Sequence, residues 1–245
     1  MSQTSPPNRP SPNAPPRESL SLWSRIADAL AALAKGEGLA AVFDILRGPR
    51  ERSVAFAIAV IALGAKMAKA DGLVTRAEVM AFREVFHIPP EEEAQAARVF
   101  DLARQDVAGF DTYARRIARM FEDASETLSD LLEGLFHIAV ADGGYHPSED
   151  AFLREVATIF GFDERAFRGI RGRFVPEAER DPYDVLGVAP DTPRDEIRAA
   201  WRRLVRESHP DRMIARGVPE EAVKLAEKRL VAVNRAWEEI EGRAA

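Results

Sequence analysis

Pro193-Arg-Asp-Glu-Ile-Arg-Ala-Ala-Trp-Arg-Arg-Leu-Val-Arg-Glu-Ser208, followed at once by His209-Pro210-Asp211, is the stretch whose reading decides the fold. Ile197, Trp201, Leu204 and Val205 recur at i, i+4, i+7 and i+8, the spacing of one helix face turned to a core. Arg194, Arg198, Arg202, Arg203 and Arg206 fill the rest of that helix. Thr192 is expected as its N-cap, Pro193 as its first residue and Asp195-Glu196 in its first turn. Downstream, Val223, Ala226, Leu230, Val233, Ala236, Trp237 and Ile240 form a second apolar stripe. Upstream, Asp181-Pro-Tyr-Asp-Val-Leu-Gly-Val188 supplies a short helix closed by Gly187. The simplest product is an antiparallel helical pair with His209-Pro210-Asp211 in the turn, braced by the short first helix.

Working outward, nearly every segment shows helical periodicity and almost none shows strand alternation, so the chain is expected to be all-α. Leu22, Ile26, Leu30 and Leu33 share one face of a first helix, and Leu39 to Leu46 gives a second. Residues 20–48 are therefore an amphipathic helical segment. Their polar face lacks the strong basic character of membrane-surface helices, which favours docking on the next domain. Residues 50–174 read as a helical domain of about seven helices joined by short connections. The expected helices run 53–69, 75–86, 90–106, 109–121, 124–141, 147–160 and 163–170. Residues 175–180 are polar and proline-bearing, a linker signature. Residues 1–19 are rich in Pro, Ser and Asn and are expected to be a disordered tail. They lack the basic-then-apolar order of a signal peptide.

Composition narrows the function classes. A net charge of −6 over 245 residues argues against a general nucleic-acid binder. There are no cysteines, which excludes disulfides and thiolate zinc sites and permits a reducing compartment. The most apolar run, Val54 to Ala65, covers roughly 12 residues where a membrane helix needs about 20. It is expected to be a buried core helix. No Gly-rich phosphate loop, nucleophile elbow or His-rich metal motif is present, so no cofactor and no intrinsic enzyme activity are expected.

The helical domain carries an internal repeat. Ala68-Lys-Ala-Asp-Gly-Leu-Val-Thr-Arg-Ala-Glu78 parallels Ala139-Val-Ala-Asp-Gly-Gly-Tyr-His-Pro-Ser-Glu149. Each Asp-Gly stands seven residues before a Glu and follows an apolar helix, which suggests a tandem helix–loop–helix with pseudo-twofold packing. Asp71, Glu78, Asp142 and Glu149 are candidate oxygen ligands for a hard cation. His146 is a further candidate ligand beside Asp142 and Glu149. The stronger alternative is structural. Thr75-Arg-Ala-Glu78 is a capping box, Pro147 with Glu149 marks another helix start, and both Asp-Gly pairs suit turns. His137 reads as a core histidine and His87 as a helix end.

The C-terminal segment resembles the J domain of the DnaJ/Hsp40 family, on Asp181-Pro-Tyr-Asp-Val-Leu-Gly-Val188, His209-Pro210-Asp211 and Asn234-Arg-Ala-Trp-Glu-Glu-Ile240. Residues 53–170 resemble the TerB-like helical family, on the two Ala-Asp-Gly repeats. A TerB-like bundle followed by a C-terminal J domain is similar to the DjlA group of bacterial J proteins, as is the run Ile214-Ala-Arg-Gly-Val-Pro-Glu-Glu221. The resemblance implies a class C co-chaperone that binds a DnaK-type Hsp70 and stimulates its ATP hydrolysis. It implies a Hsp70-binding site of His209, Pro210 and Asp211 with Arg198, Arg202, Arg203, Arg206 and Arg212, and a TerB-like domain that sets location or client. Nucleotide and Mg²⁺ would belong to the partner, and His209 would not be a general base. Two departures stand beside the turn and in the helix. Glu207-Ser208 replaces the family's more usual basic residue and Tyr, and Trp201 replaces a usual Tyr. DjlA proteins usually begin with a membrane segment. This chain has a polar tail there, so a cytoplasmic protein is expected, with any contact to the inner membrane peripheral. The rival expectation is a metal- or stress-responsive binding protein in which the acidic loops carry the main function.

Overall fold

A computed structural model of the chain describes residues 21–33, 37–46, 51–71, 88, 90, 93–105, 109–175 and 180–243. Among them there is no β-strand, and the protein is all-α. The tail 1–19, the first acidic loop with Glu78, the expected helix 75–86, His87 and most of the 175–180 segment lie outside the described residues.

The body is organised around α3, Arg52–Asp71. Val54 to Leu63 is apolar on every face, and each of its residues is at most 3% exposed. A helix without a polar side must be surrounded, and this one is. It packs against α1 (Leu22–Ala31), α4 (Glu93–Gln105), α5 (Phe110–Met120), α6 (Ser125–Ala139) and α7 (Pro147–Ile159). Helix α1 buries Leu22, Trp23, Ile26, Ala29 and Leu30 and starts at Ser21, whose hydroxyl accepts the Ser24 amide at 3.0 Å. A 3-10 turn at Leu39–Ala41 leads into α2, Val42–Ile45, which lies on α5. The amphipathic segment thus contributes to the same apolar core as α3. No helix among the described residues is long and apolar enough to cross a membrane.

Helix α8, Glu164–Phe174, packs on α6 and is started by Asp163, whose side chain accepts the Ala166 amide at 2.8 Å. It runs four residues past the sequence-based end at 170, because Phe174 and Val175 remain buried in the body core. After it comes α9, Pro182–Leu186, capped by Asp181 and closed by Gly187 at φ 71°. Next are α10 (Arg194–Glu207), α11 (Pro210–Ala215), a 3-10 turn at Glu220–Ala222, and α12 (Leu225–Arg243). Thr192 does not cap α10. Its hydroxyl accepts the Ala189 amide at 3.1 Å, and Pro193 occupies the cap position instead.

The C-terminal segment does not keep its apolar residues to itself. Val185, Leu186, Ile197, Val233, Ala236, Trp237 and Ile240 form a small separate core, with Trp201, Leu204 and Val205 against it. Trp201 stacks on Trp237 with ring centroids 5.3 Å apart, and its indole N–H donates to Asn234 at 2.9 Å. Met213, Val218, Ala222, Leu225 and Ala226 belong to the core of the body, with Val223 packed against it. The expected single stripe from Val223 to Ile240 is therefore split. Its first members face the body, because the excursion through α11 and the 3-10 turn carries the start of α12 onto α6.

Candidate functional site

His209-Pro210-Asp211 is not a bare turn. His209 is the N-cap and Pro210 the first residue of α11. The His209 Nδ1 accepts the Asp211 amide at 3.2 Å, which leaves Nε2 to carry the proton of the neutral ring. Proline suits this place, since its missing N–H would be unpaired in a first turn anyway. The side chains of His209 and Asp211 are 62% and 88% exposed. An imidazole and a carboxylate are thus presented on a stiff corner.

Beside the corner stand the arginines of α10. Arg202, Arg206 and Arg212 are exposed. Arg198 lies 5.7 Å from the Trp237 ring centroid and 3.7 Å from Glu241, which also receives Arg194 at 3.0 Å. Arg203 stands 3.8 Å from Glu207. All eight residues of the expected binding site therefore lie on one helix and the corner that follows it. Glu207, the departure from the family pattern, is half-withdrawn beside Arg203 rather than projecting as a free acid.

Behind the corner lies a group of charges that the amino-acid pattern did not reveal. Asp130 and Glu133 on α6 are fully buried. Arg216, the residue that ends α11, donates to Asp130 through Nε at 2.6 Å and Nη2 at 3.0 Å. Arg229 on α12 donates Nε to both Glu133 oxygens at 3.0 and 2.8 Å and also reaches Asp130. Arg173 on α8 donates to Glu133 at 2.9 Å and to the Val185 carbonyl at 2.9 Å. Burial works against the Arg229 charge, but Glu133 and Asp130 outweigh it and hold its pKa above that of an ordinary arginine. For Arg173 burial dominates and lowers the pKa. Thr127, Asp130, Glu133 and His137 occupy one stripe of α6. The Thr127 hydroxyl donates to the Arg216 carbonyl at 3.2 Å, and Lys228 Nζ lies 2.8 Å from His137 Nδ1. His137 is buried, as a core histidine, but at a seam between two domains.

The seam is tight. Helix α8 crosses α9 at Gly169, where a Cβ would stand 2.2 Å from the Asp184 carbonyl oxygen. Gly217, at φ 100°, turns the chain after α11 against Arg52, where a Cβ would meet that side chain at 2.5 Å.

The second acidic loop is spent on local structure. His146 caps α7, Pro147 follows it, and the buried Glu149 accepts the His146 amide at 2.8 Å. Asp142 accepts the Gly144 amide at 3.0 Å. His146 and Asp142 stand 3.8 Å apart, and no group of three or more metal-ligating side chains converges among the described residues. Asp71 ends α3, and Glu78 lies outside the described residues. Next to this loop, the Tyr145 hydroxyl donates to Asp150 at 3.1 Å, and Arg154 and Arg171 each reach Asp150 at 3.0 Å. Burial, reinforced by Asp150, pushes the Tyr145 phenol far above its ordinary range.

Comparison with known proteins agrees with this geometry. Residues 57–172 match the family model "Tellurite resistance protein TerB", and residues 181–241 match the "DnaJ domain" model. The chain is a J-domain protein in which the J domain follows a TerB domain, the arrangement of the DjlA group. It is 28% identical over 216 residues to the co-chaperone protein DjlA of Photobacterium profundum, covering 78% of each chain. To that of Coxiella burnetii it is 28% identical over 194 residues, covering 71% of this chain and 72% of the relative. To that of Escherichia coli it is 25% identical over 259 residues, covering 88% and 96%. No solved structure matches the chain.

Proposed function

We propose that this protein is a co-chaperone that binds a DnaK-type Hsp70 and stimulates its ATP hydrolysis through His209-Pro210-Asp211 and the arginine face of α10. The observation that carries this is the corner itself. Its imidazole and carboxylate are exposed at the start of α11, beside Arg202, Arg206 and Arg212, while its rear is anchored in the body. A ligand of this kind acts by favouring one conformer of its partner, so the nucleotide, the metal ion and the hydrolytic chemistry all belong to the Hsp70. The arginines supply long-range attraction to an acidic surface, which raises the association rate. The TerB domain sets location or client, with the protein working in the cytoplasm or peripherally at the inner membrane.

Single-turnover ATP hydrolysis by a DnaK-type Hsp70 tests the proposal. The wild-type chain should accelerate the reaction, and His209→Gln should leave it at the unstimulated rate with the fold unchanged by circular dichroism. Equal rates with wild type and variant would remove the proposal.

A further inference from the structure

We infer that the TerB domain is a built-in brace for the His-Pro-Asp corner, with Asp130 as a positioning residue that acts through Arg216. The inference deepens the co-chaperone reading and, for its second measurement, rests on it.

The path is short and continuous. Asp130 is fully buried on α6, a helix held in the body core by Leu128, Leu131, Leu132 and Leu135. It grips the Arg216 guanidinium by two N–H bonds, at 2.6 and 3.0 Å. The third nitrogen of the same guanidinium, Nη1, donates to the Glu207 carbonyl at 2.9 Å. Glu207 is the last residue of α10, and His209 lies two residues beyond it. Arg216 therefore ties both ends of the corner, the close of α10 and the close of α11, to one fixed carboxylate. The Thr127 hydroxyl holds the Arg216 main chain from the same helix. Met213, 0% exposed, plugs α11 into the body core, and Ser208 is equally buried.

A guanidinium suits this task because its five donors lie in a rigid plane and address several acceptors at once. A planar two-point contact to a carboxylate also fixes direction as well as distance. A hairpin turn without such support would sample many arrangements, and a partner would capture only the competent fraction. The brace raises that fraction before any partner arrives. It leaves the presenting side open, since His209, Pro210 and Asp211 are exposed, so it supports the corner and does not block it.

Hydrogen exchange on the full chain, without Hsp70, reads the brace directly. The Ser208, Arg212 and Met213 amides are hydrogen-bonded to Leu204, His209 and His209. With Arg216→Gln, exchange of these amides should rise by about tenfold or more, while amides of α6 stay protected. Unchanged corner exchange, or an equal rise in α6 that marks a general loss of stability, overturns the inference. Stimulation of a DnaK-type Hsp70 gives the second reading. The concentration for half-maximal stimulation should rise about tenfold with the maximal rate kept, as expected when only the competent fraction falls. A loosened corner with an unchanged half-maximal concentration overturns the link to function. Wild type that fails to stimulate any Hsp70 sinks the co-chaperone reading, and the exchange measurement then decides the brace alone. If Arg216→Gln does not fold, Thr127→Val removes only the hydroxyl bond to the Arg216 carbonyl. It should loosen the same amides to a smaller degree, and an unaltered pattern counts against the brace.

Discussion

Two sets of arginines serve the J domain, and water treats them differently. Those of α10 stand in solvent, where Arg194, Arg198 and Arg203 meet carboxylates that are themselves partly exposed. Arg173, Arg216 and Arg229 lie at the seam, 16% exposed or less, against carboxylates at 0%. A charge in water is screened and replaceable, so the outer set is suited to steering a partner and letting it go. A charge at the seam has lost its hydration, and only its partner's position compensates. The same side chain thus makes a reversible contact on one side and a fixed joint on the other.

The largest break in this contrast should come from Glu133→Ala. It leaves Arg229 and Arg173, whose side chains are largely withdrawn from solvent, short of their shared acceptor, and urea unfolding should show a loss of about 3–5 kcal/mol. Next is Gly169→Ala, which drives a methyl group into the Asp184 carbonyl where α8 crosses α9. It should cost about 1–3 kcal/mol by the same measurement and shift amide signals of residues 183–187 by NMR. Ionic strength should separate the two sets without any mutation. Raising salt from about 0.05 to about 0.3 M should slow association with Hsp70 several-fold, read by stopped-flow fluorescence, while the melting temperature of the free chain changes little.

A pH test touches the body alone. Burial opposes ionisation of Asp150, but hydrogen bonds from Arg171, Arg154 and Tyr145 outweigh it, and the net effect lowers its pKa. A depressed carboxylate contributes stability above its unfolded pKa of about 3.9, and that contribution is lost as pH falls through the folded value. Asp150→Asn should therefore destabilise the chain at pH 7 and converge with wild type in strong acid. The smallest effect belongs to the outer set. Glu241→Ala frees Arg194 and Arg198 and should cost less than about 1 kcal/mol.

The two sets also differ in how far the amino-acid order announces them. The outer face and the corner were legible, because helical periodicity, a Pro at a helix start and a short motif all act over neighbouring residues. The described helices of the body were legible for the same reason, and α3 declared its burial by having no polar side from Val54 to Leu63. The seam was not. Asp130 and Glu133 recur on α6 at helical spacing with Glu126 and His137, which is also how a solvated face reads. Arg216 and Arg229 sit among other charges in a polar excursion. What buries them is contact over 86 and 96 residues of chain, which no local pattern encodes. The one available signal was a pair of acids inside the largely apolar run from Leu128 to Ala141. The split of the α12 stripe was hidden likewise, since a periodic face does not say which neighbour it meets.

The shared core has a consequence for how such a protein is inherited. Met213, Val218, Ala222, Leu225 and Ala226 are filed with the body, although they lie in the J segment. Recombination that moved residues 181–243 into a foreign chain would bare those side chains and take Arg216 and Arg229 away from Asp130 and Glu133. A J segment built this way takes part of its apolar contact from the helices that precede it.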